Sequence, residues 1–206
     1  MTDVQAVLTI GHSTHPIETF LDLLARHGVT AVADVRSSPF SRFNSQYNRE
    51  NLARSLKEVD IAYVFLGDAL GARANDPSCY IDGRVQYGRL AMRPAFREGI
   101  ARLKKGAAEH RIALMCAEKE PLDCHRTLLV ARALDVEGVP VAHILADGAL
   151  ESHATTMDRL IDVAGLSRDD LFRSRDEIAA EALRLQEQKI AYVDAEMAAG
   201  REDPSP

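Results

Sequence analysis

The pattern that most constrains the fold is an alternation of two hydrophobic periods. Short apolar runs fall at residues 7–10, 29–35, 61–66, 111–116 and 139–145. Between them lie stretches with apolar residues three and four apart: Ile17, Phe20, Leu21 and Leu24, then Leu52 and Leu56, then Phe96, Ile100 and Leu103. The first pattern fits strands buried on both faces, the second amphipathic helices. Strand, helix and strand in repetition require crossover connections, which make a sheet parallel. The predicted fold is therefore α/β: a mostly parallel five-stranded sheet with helices on both faces over residues 1–165, followed by a C-terminal helical extension over 166–206.

Local signals refine this plan. Pro16 and Glu18 suit the first turn of a helix over 16–27, and Gly28 suits its end. Further helices are expected over 49–59, 94–109, 124–137 and about 151–163. Ser174 and Glu177 have capping-box spacing and open a long terminal helix outlined by Ile178, Ala182, Leu185, Lys189, Val193 and Met197. Its apolar stripe serves either packing across the domain or a contact between two copies, so a homodimer is an open expectation. Residues 67–93 fit neither period and contain Gly67, Gly71, Pro77, Gly83 and Gly88. They read as a mobile loop without secondary structure, and as a candidate lid.

Composition narrows the class. No apolar run reaches the ~18 residues of a membrane span, and no basic-then-apolar leader is visible. Three cysteines (Cys79, Cys116, Cys124) do not suggest a disulfide framework, which points to the cytoplasm. The net charge is −6 but uneven. Residues 73–111 hold nine Lys/Arg against four Asp/Glu, whereas 150–206 hold seven against thirteen. A basic middle in an acidic chain suits an anionic ligand as well as a solvated helix.

Ligands of parallel sheets bind beyond the carboxyl ends of the strands. This chain places polar, titratable residues there repeatedly: His12 and Ser13 after the first strand, Asp34 and Arg36 after the second, Asp68 after the third, Cys116 and Glu118 after the fourth, Asp147 after the fifth. The richest stretch runs from Cys116 through Glu118 and Pro121 to Cys124, His125 and Arg126, which open a helix. A first-turn position favours thiolate at Cys124, while Cys116 behind an apolar strand is expected to be shielded. Asp123 reads as the helix cap. Arg126 at a helix N-terminus opposes the dipole and needs a negative neighbour.

Several familiar patterns fail. A phosphatase-type loop needs Arg six residues after the cysteine, where Leu122 stands. No Gly-x-Gly-x-x-Gly or Walker loop exists, and the cofactor is left unknown. Cys116 and Cys124 with His125 do not have a usual zinc spacing, so no metal set is assigned. A metal held by these residues with His12 stays open.

Gly-His-Ser-Thr after the first strand, Asp34-Val-Arg-Ser-Ser-Pro39, Cys116-Ala-Glu118 and Cys124-His-Arg126 together resemble domain-of-unknown-function family 488. The resemblance covers about residues 6–150. It implies that these positions form one shared site, and it implies no particular activity.

The leading expectation is an enzyme acting on an anionic, phosphate-bearing substrate, either a small molecule such as a nucleotide or a nucleic acid. Cys116 or Cys124 would be the nucleophile, Glu118 or His12 the acid or base, and Asp34 the orienting group. Arg36, Ser13, His125 and Arg126 would hold the ligand. The alternatives are a non-catalytic nucleic-acid-binding module and a thiol or metal site for redox sensing.

Overall fold

A computed structural model describes residues 6–199. Its centre is a six-stranded sheet. In chain order the strands are β1 (Val7–Gly11), β2 (Ala31–Asp34), β3 (Ala62–Phe65), then a separate hairpin of β4 (Tyr80–Ile81) and β5 (Arg84–Val85), then β6 (Ile112–Cys116), β7 (Val141–Ile144) and β8 (Leu150–Ser152). The sheet order is β3-β2-β6-β1-β7-β8. All its pairs are parallel except β7 with β8. The five expected strands are the parallel ones, and β8 adds an antiparallel edge.

The helices are α1 (Ile17–Arg26), α2 (Arg49–Lys57), α3 (Gly67–Leu70), α4 (Tyr87–Met92), α5 (Pro94–Ala107), α6 (Arg132–Val136), α7 (His153–Val163), α8 (Arg175–Ile190) and α9 (Ala195–Ala199). None is long and apolar enough to cross a membrane. Every residue of β1, β2 and β6 is buried, because helices cover both faces. Strand alternation divides the core in two. Leu8, Ile10, Val32, Ala113 and Met115 face Phe20, Leu23 and Leu24 of α1 and Leu52 and Leu56 of α2. Val7, Ala31, Ala33, Leu114 and Cys116 face the opposite layer, with Phe96, Ile100 and Leu103 of α5 and Leu160 of α7.

Three expectations need correction. Residues 67–93 are not structureless: they hold α3, a short turn, the β4–β5 hairpin and α4, pinned by buried Leu70, Cys79, Val85, Tyr87 and Leu90. Elements of two to six residues are too short to show a period. The Asp82-Gly83 pair was still a readable hairpin signal, since both residues have positive φ, 49° and 73°. Second, the terminal helix does not continue to Met197. It starts with the expected Ser174–Glu177 capping box but ends at Ile190. Extended residues follow, and the Tyr192 carbonyl accepts the Val85 N–H at 2.9 Å. A tyrosine and a valine pairing with a hairpin edge override weak helical spacing. Third, the helix expected from Cys124 begins at His125, and the six residues that follow, Arg126–Ala131, wind as a π-helix. The fraying expected for 202–206 lies outside the described residues.

The α8 helix packs across the domain: Ile178 and Ala182 join the core, and buried Gln186 donates to the Leu122 carbonyl and to Asp123, both at 3.1 Å.

Candidate functional site

Strands β2, β6 and β1 lie side by side, so their carboxyl ends meet. Gly11 is paired with Cys116 across β1 and β6. It lies so close to the following loop that a Cβ here would stand 1.8 Å from the Glu118 carbonyl oxygen. Only glycine allows β1 to meet the 117–119 loop so tightly. That loop is further held by the His12 and Ser13 amides, which donate to the Cys116 and Ala117 carbonyls at 2.9 Å each.

Four of the expected residues form a cluster at this end. The Cys124 thiol donates to Glu118 Oε2 at 3.0 Å. His125 Nδ1 lies 3.7 Å from Cys116 Sγ and 4.0 Å from Cys124 Sγ. The other ring nitrogen, Nε2, is 3.0 Å from the Val35 carbonyl. A carbonyl only accepts, so Nε2 carries hydrogen, and Nδ1 is the ring nitrogen that faces both sulfurs. Cys124 is not in the helix as expected. It is extended (φ −136°, ψ 137°) just ahead of it, and the Arg126 amide donates to its sulfur at 3.4 Å. The Pro121–Asp123 turn, stitched by Glu120 accepting from Leu122, delays the helix. Asp123 therefore serves Gln186 rather than the cap.

The two thiols are shifted in opposite directions. The hydrogen bond with Cys124, then burial, push Cys116 well up. Burial also opposes charge on Cys124, but Cys116, Arg126 and His125 outweigh it and bring that thiol well below its ordinary value. Burial and the Cys124 charge raise Glu118, whose carboxyl end turns inward to the sulfur.

Cys116, Glu118 and His125 line a cavity of about 260 Å³. Its walls include Arg36, Ser37 and Ser38 after β2, Arg73, Tyr87 of α4, Asp123, and Ile190 and Tyr192 of the C-terminal segment. Arg73 lies over the Tyr192 ring at 4.2 Å. A second cavity of about 520 Å³, lined by Asp68 and Arg93 among others, shares Ser37 and Arg73 with the first.

The remaining expected residues form the support beneath. Asp34 accepts the Arg36 amide at 3.1 Å, Nε at 2.9 Å and Nη2 at 2.7 Å, and the Tyr63 hydroxyl at 2.8 Å. That is a saturated carboxylate, suited to orienting Arg36. Arg36 also donates to the Tyr47 carbonyl and to His12 Nε2, at 2.8 and 3.3 Å. His12 stacks on Tyr47 and spends Nδ1 on the Ser13 carbonyl. Burial brings its pKa down to about 4, so it is a neutral spacer with both nitrogens used. Ser13 (φ 50°) turns the chain there. Fully buried Arg126 donates to the Glu118 and Lys119 carbonyls at 2.6 and 3.3 Å and does not line the cavity. Asp147 sits apart, bonding the Ala149 amide in the β7–β8 turn.

Sequence reasoning missed Arg73 and Tyr192 as wall residues. They come from short or irregular segments, and no spacing rule links them to the strand ends. Tyr87 stood as an aromatic in an unassigned stretch, and burial, then the charges of Cys124, Glu187 and Glu118, raise its phenol and keep it protonated.

Among curated proteins and solved structures nothing matches the chain. The family profile described as Domain of unknown function DUF488 matches residues 16–133, more than half the chain, spanning Asp34, Arg36 and the whole Cys116–Arg126 stretch. The chain therefore belongs to the DUF488 family.

Proposed function

We propose that this protein is an enzyme that processes a small anionic substrate in the strand-end cavity. One observation carries the reading: two thiols, an imidazole nitrogen and a carboxyl group converge beside a cavity with arginines in its walls. Core packing needs no such convergence, and perturbed groups gathered in a cleft are typical of catalytic centres. Glu118 is the proton carrier, since its carboxyl end reaches Cys124 while the residue borders the cavity. Arg73, Ser37 and Ser38 receive the anion, with Arg36 held ready behind them by Asp34. The ~260 Å³ volume suits a phosphate or carboxylate ester better than a nucleic-acid chain. Three free thiols fit a reducing, cytoplasmic setting.

The test pairs binding with turnover. Calorimetry at low salt is expected to show phosphate and pyrophosphate binding that weakens in Arg73→Ala. A panel of para-nitrophenyl phosphate mono- and diesters and carboxylate esters is expected to reveal turnover that falls about a hundredfold or more in Glu118→Gln. A chain that binds neither anion and turns over no ester would remove the proposal.

A further inference from the structure

We propose that Cys116, Cys124 and His125 form a binding site for one zinc-class transition-metal ion, with its open coordination position facing the cavity. The inference deepens the enzyme reading and rests on it only in giving that open position to substrate or water.

The three ligand atoms lie within 4.8 Å of one another. Metal–sulfur bonds of about 2.3 Å and metal–nitrogen bonds of about 2.0–2.1 Å place tetrahedral sulfur and nitrogen ligands about 3.6 Å apart. The observed sulfur–nitrogen separations, 3.7 and 4.0 Å, are close to that edge. They are long for thiol–imidazole hydrogen bonds, and Nδ1 faces two sulfurs rather than being aimed at one. The Nε2–H to Val35 bond is the outer support that metal-binding histidines use to fix their tautomer. The Arg126 amide on Cys124 Sγ gives one sulfur a matching N–H donor.

Charge supplies a second, independent reason. Buried Arg126 meets only the Thr9 hydroxyl and two carbonyls among the described side-chain contacts, so its positive charge has no carboxylate partner there. Two thiolates and the Glu118 carboxylate would together balance a divalent ion plus this guanidinium. Soft sulfur and imidazole ligands select zinc, cobalt or similar ions over magnesium or calcium. Cys116 and His125 border the cavity and Cys124 does not, so the unfilled position opens toward the space beside Glu118. Three protein ligands with one open place is the arrangement of a catalytic rather than a structural zinc site.

The test uses the reduced full-length chain, stripped with chelator and titrated with zinc and with cobalt. One ion per chain is expected, and the cobalt form should show sulfur-to-metal charge transfer with the intense visible bands of a tetrahedral site. Cys116→Ser, Cys124→Ser and His125→Gln should each weaken zinc binding a hundredfold or more, while Cys79→Ser, a buried thiol outside the cluster, should leave it unchanged. If the cluster variants fail to fold, the cobalt spectrum of the wild-type chain decides alone, because thiolate ligation has its own signature. Absence of binding by the reduced wild type, a cobalt spectrum without sulfur charge transfer, or equal binding in the cluster variants would overturn the site. Metal bound with no Glu118-dependent turnover would leave the site standing and defeat the enzyme reading; Glu118-dependent turnover without metal would do the reverse.

Discussion

His143 should make this fold acid-sensitive in a way that one substitution can isolate. It is fully buried on β7. Thr9 Oγ1 lies 2.8 Å from its Nδ1, and His153 Nδ1 lies 3.1 Å from its Nε2. The Arg126 guanidinium donates to Thr9 Oγ1 at 3.4 Å, and the Thr9 hydroxyl keeps its own hydrogen. A neutral His143 ring therefore has a polar partner at each nitrogen. A second proton on His143 would place a buried cation near Arg126. Burial first, then the charges of His153 and Arg126, bring its pKa from 6.5 down to about 3.

The sign follows from linkage. The unfolded chain takes up a proton at His143 near pH 6.5, and the folded chain does so only near pH 3. The stabilisation is complete above pH 6.5 and is lost as pH falls. At 1.36 kcal/mol per pKa unit, pH 5 already costs about 2 kcal/mol, a sizeable part of a typical 5–15 kcal/mol. His153 shifts in the same direction, whereas His125 is raised and acts in the opposite one, but both remain in the comparison protein. Urea unfolding at pH 7 and pH 5 measures the difference. His143→Asn should be less stable than wild type at pH 7, yet lose about 2 kcal/mol less between the two pH values. Equal losses in both proteins would refute the argument, whatever their absolute stabilities.

Three further outcomes are expected. Asp34→Asn leaves the buried Arg36 guanidinium without its carboxylate and should cost about 3–5 kcal/mol in chemical denaturation. Gly11→Ala drives a Cβ into the Glu118 carbonyl, so urea unfolding should show a loss of about 1–3 kcal/mol, and phosphate affinity should fall with it. Tyr192→Ala removes the ring under Arg73 and should speed hydrogen exchange at the Val85 amide, which donates to the Tyr192 carbonyl, while leaving exchange in β1 unchanged.

What the sequence made legible follows from what each signal is made of. The parallel strands could be read because burial on both faces leaves an unbroken apolar run, as in Ile112–Cys116. The strand-end residues could be read because the same architecture that buries a strand exposes its end. Sequence could not separate residues that touch a ligand from those that hold the others in place. His12, Asp34 and Arg126 share the chemistry of Cys116, Glu118 and His125, and only distances show that the first three are spent on protein partners. The extended 192–194 segment was hidden because its pairing partner, the β4–β5 hairpin, lies a hundred residues away in the chain.

Arg126 shows how one misplaced-looking charge connects these layers. At the start of a helix it opposes the dipole, which on propensity alone argues against it. Its side chain does not stay with the helix. It reaches across to clamp the Glu118 and Lys119 carbonyls, so the loop that carries Glu118 is fixed by the same residue whose amide touches Cys124. Through Thr9 it is also linked to His143. A fixed buried cation favours the anionic form of one neighbour and the neutral form of another. Burial opposes the lowering of Cys124, which Cys116 and then Arg126 bring about, and burial drives the lowering of His143, to which His153 and then Arg126 add. The cation therefore contributes to both the acidity of the candidate site and the acid sensitivity of the sheet.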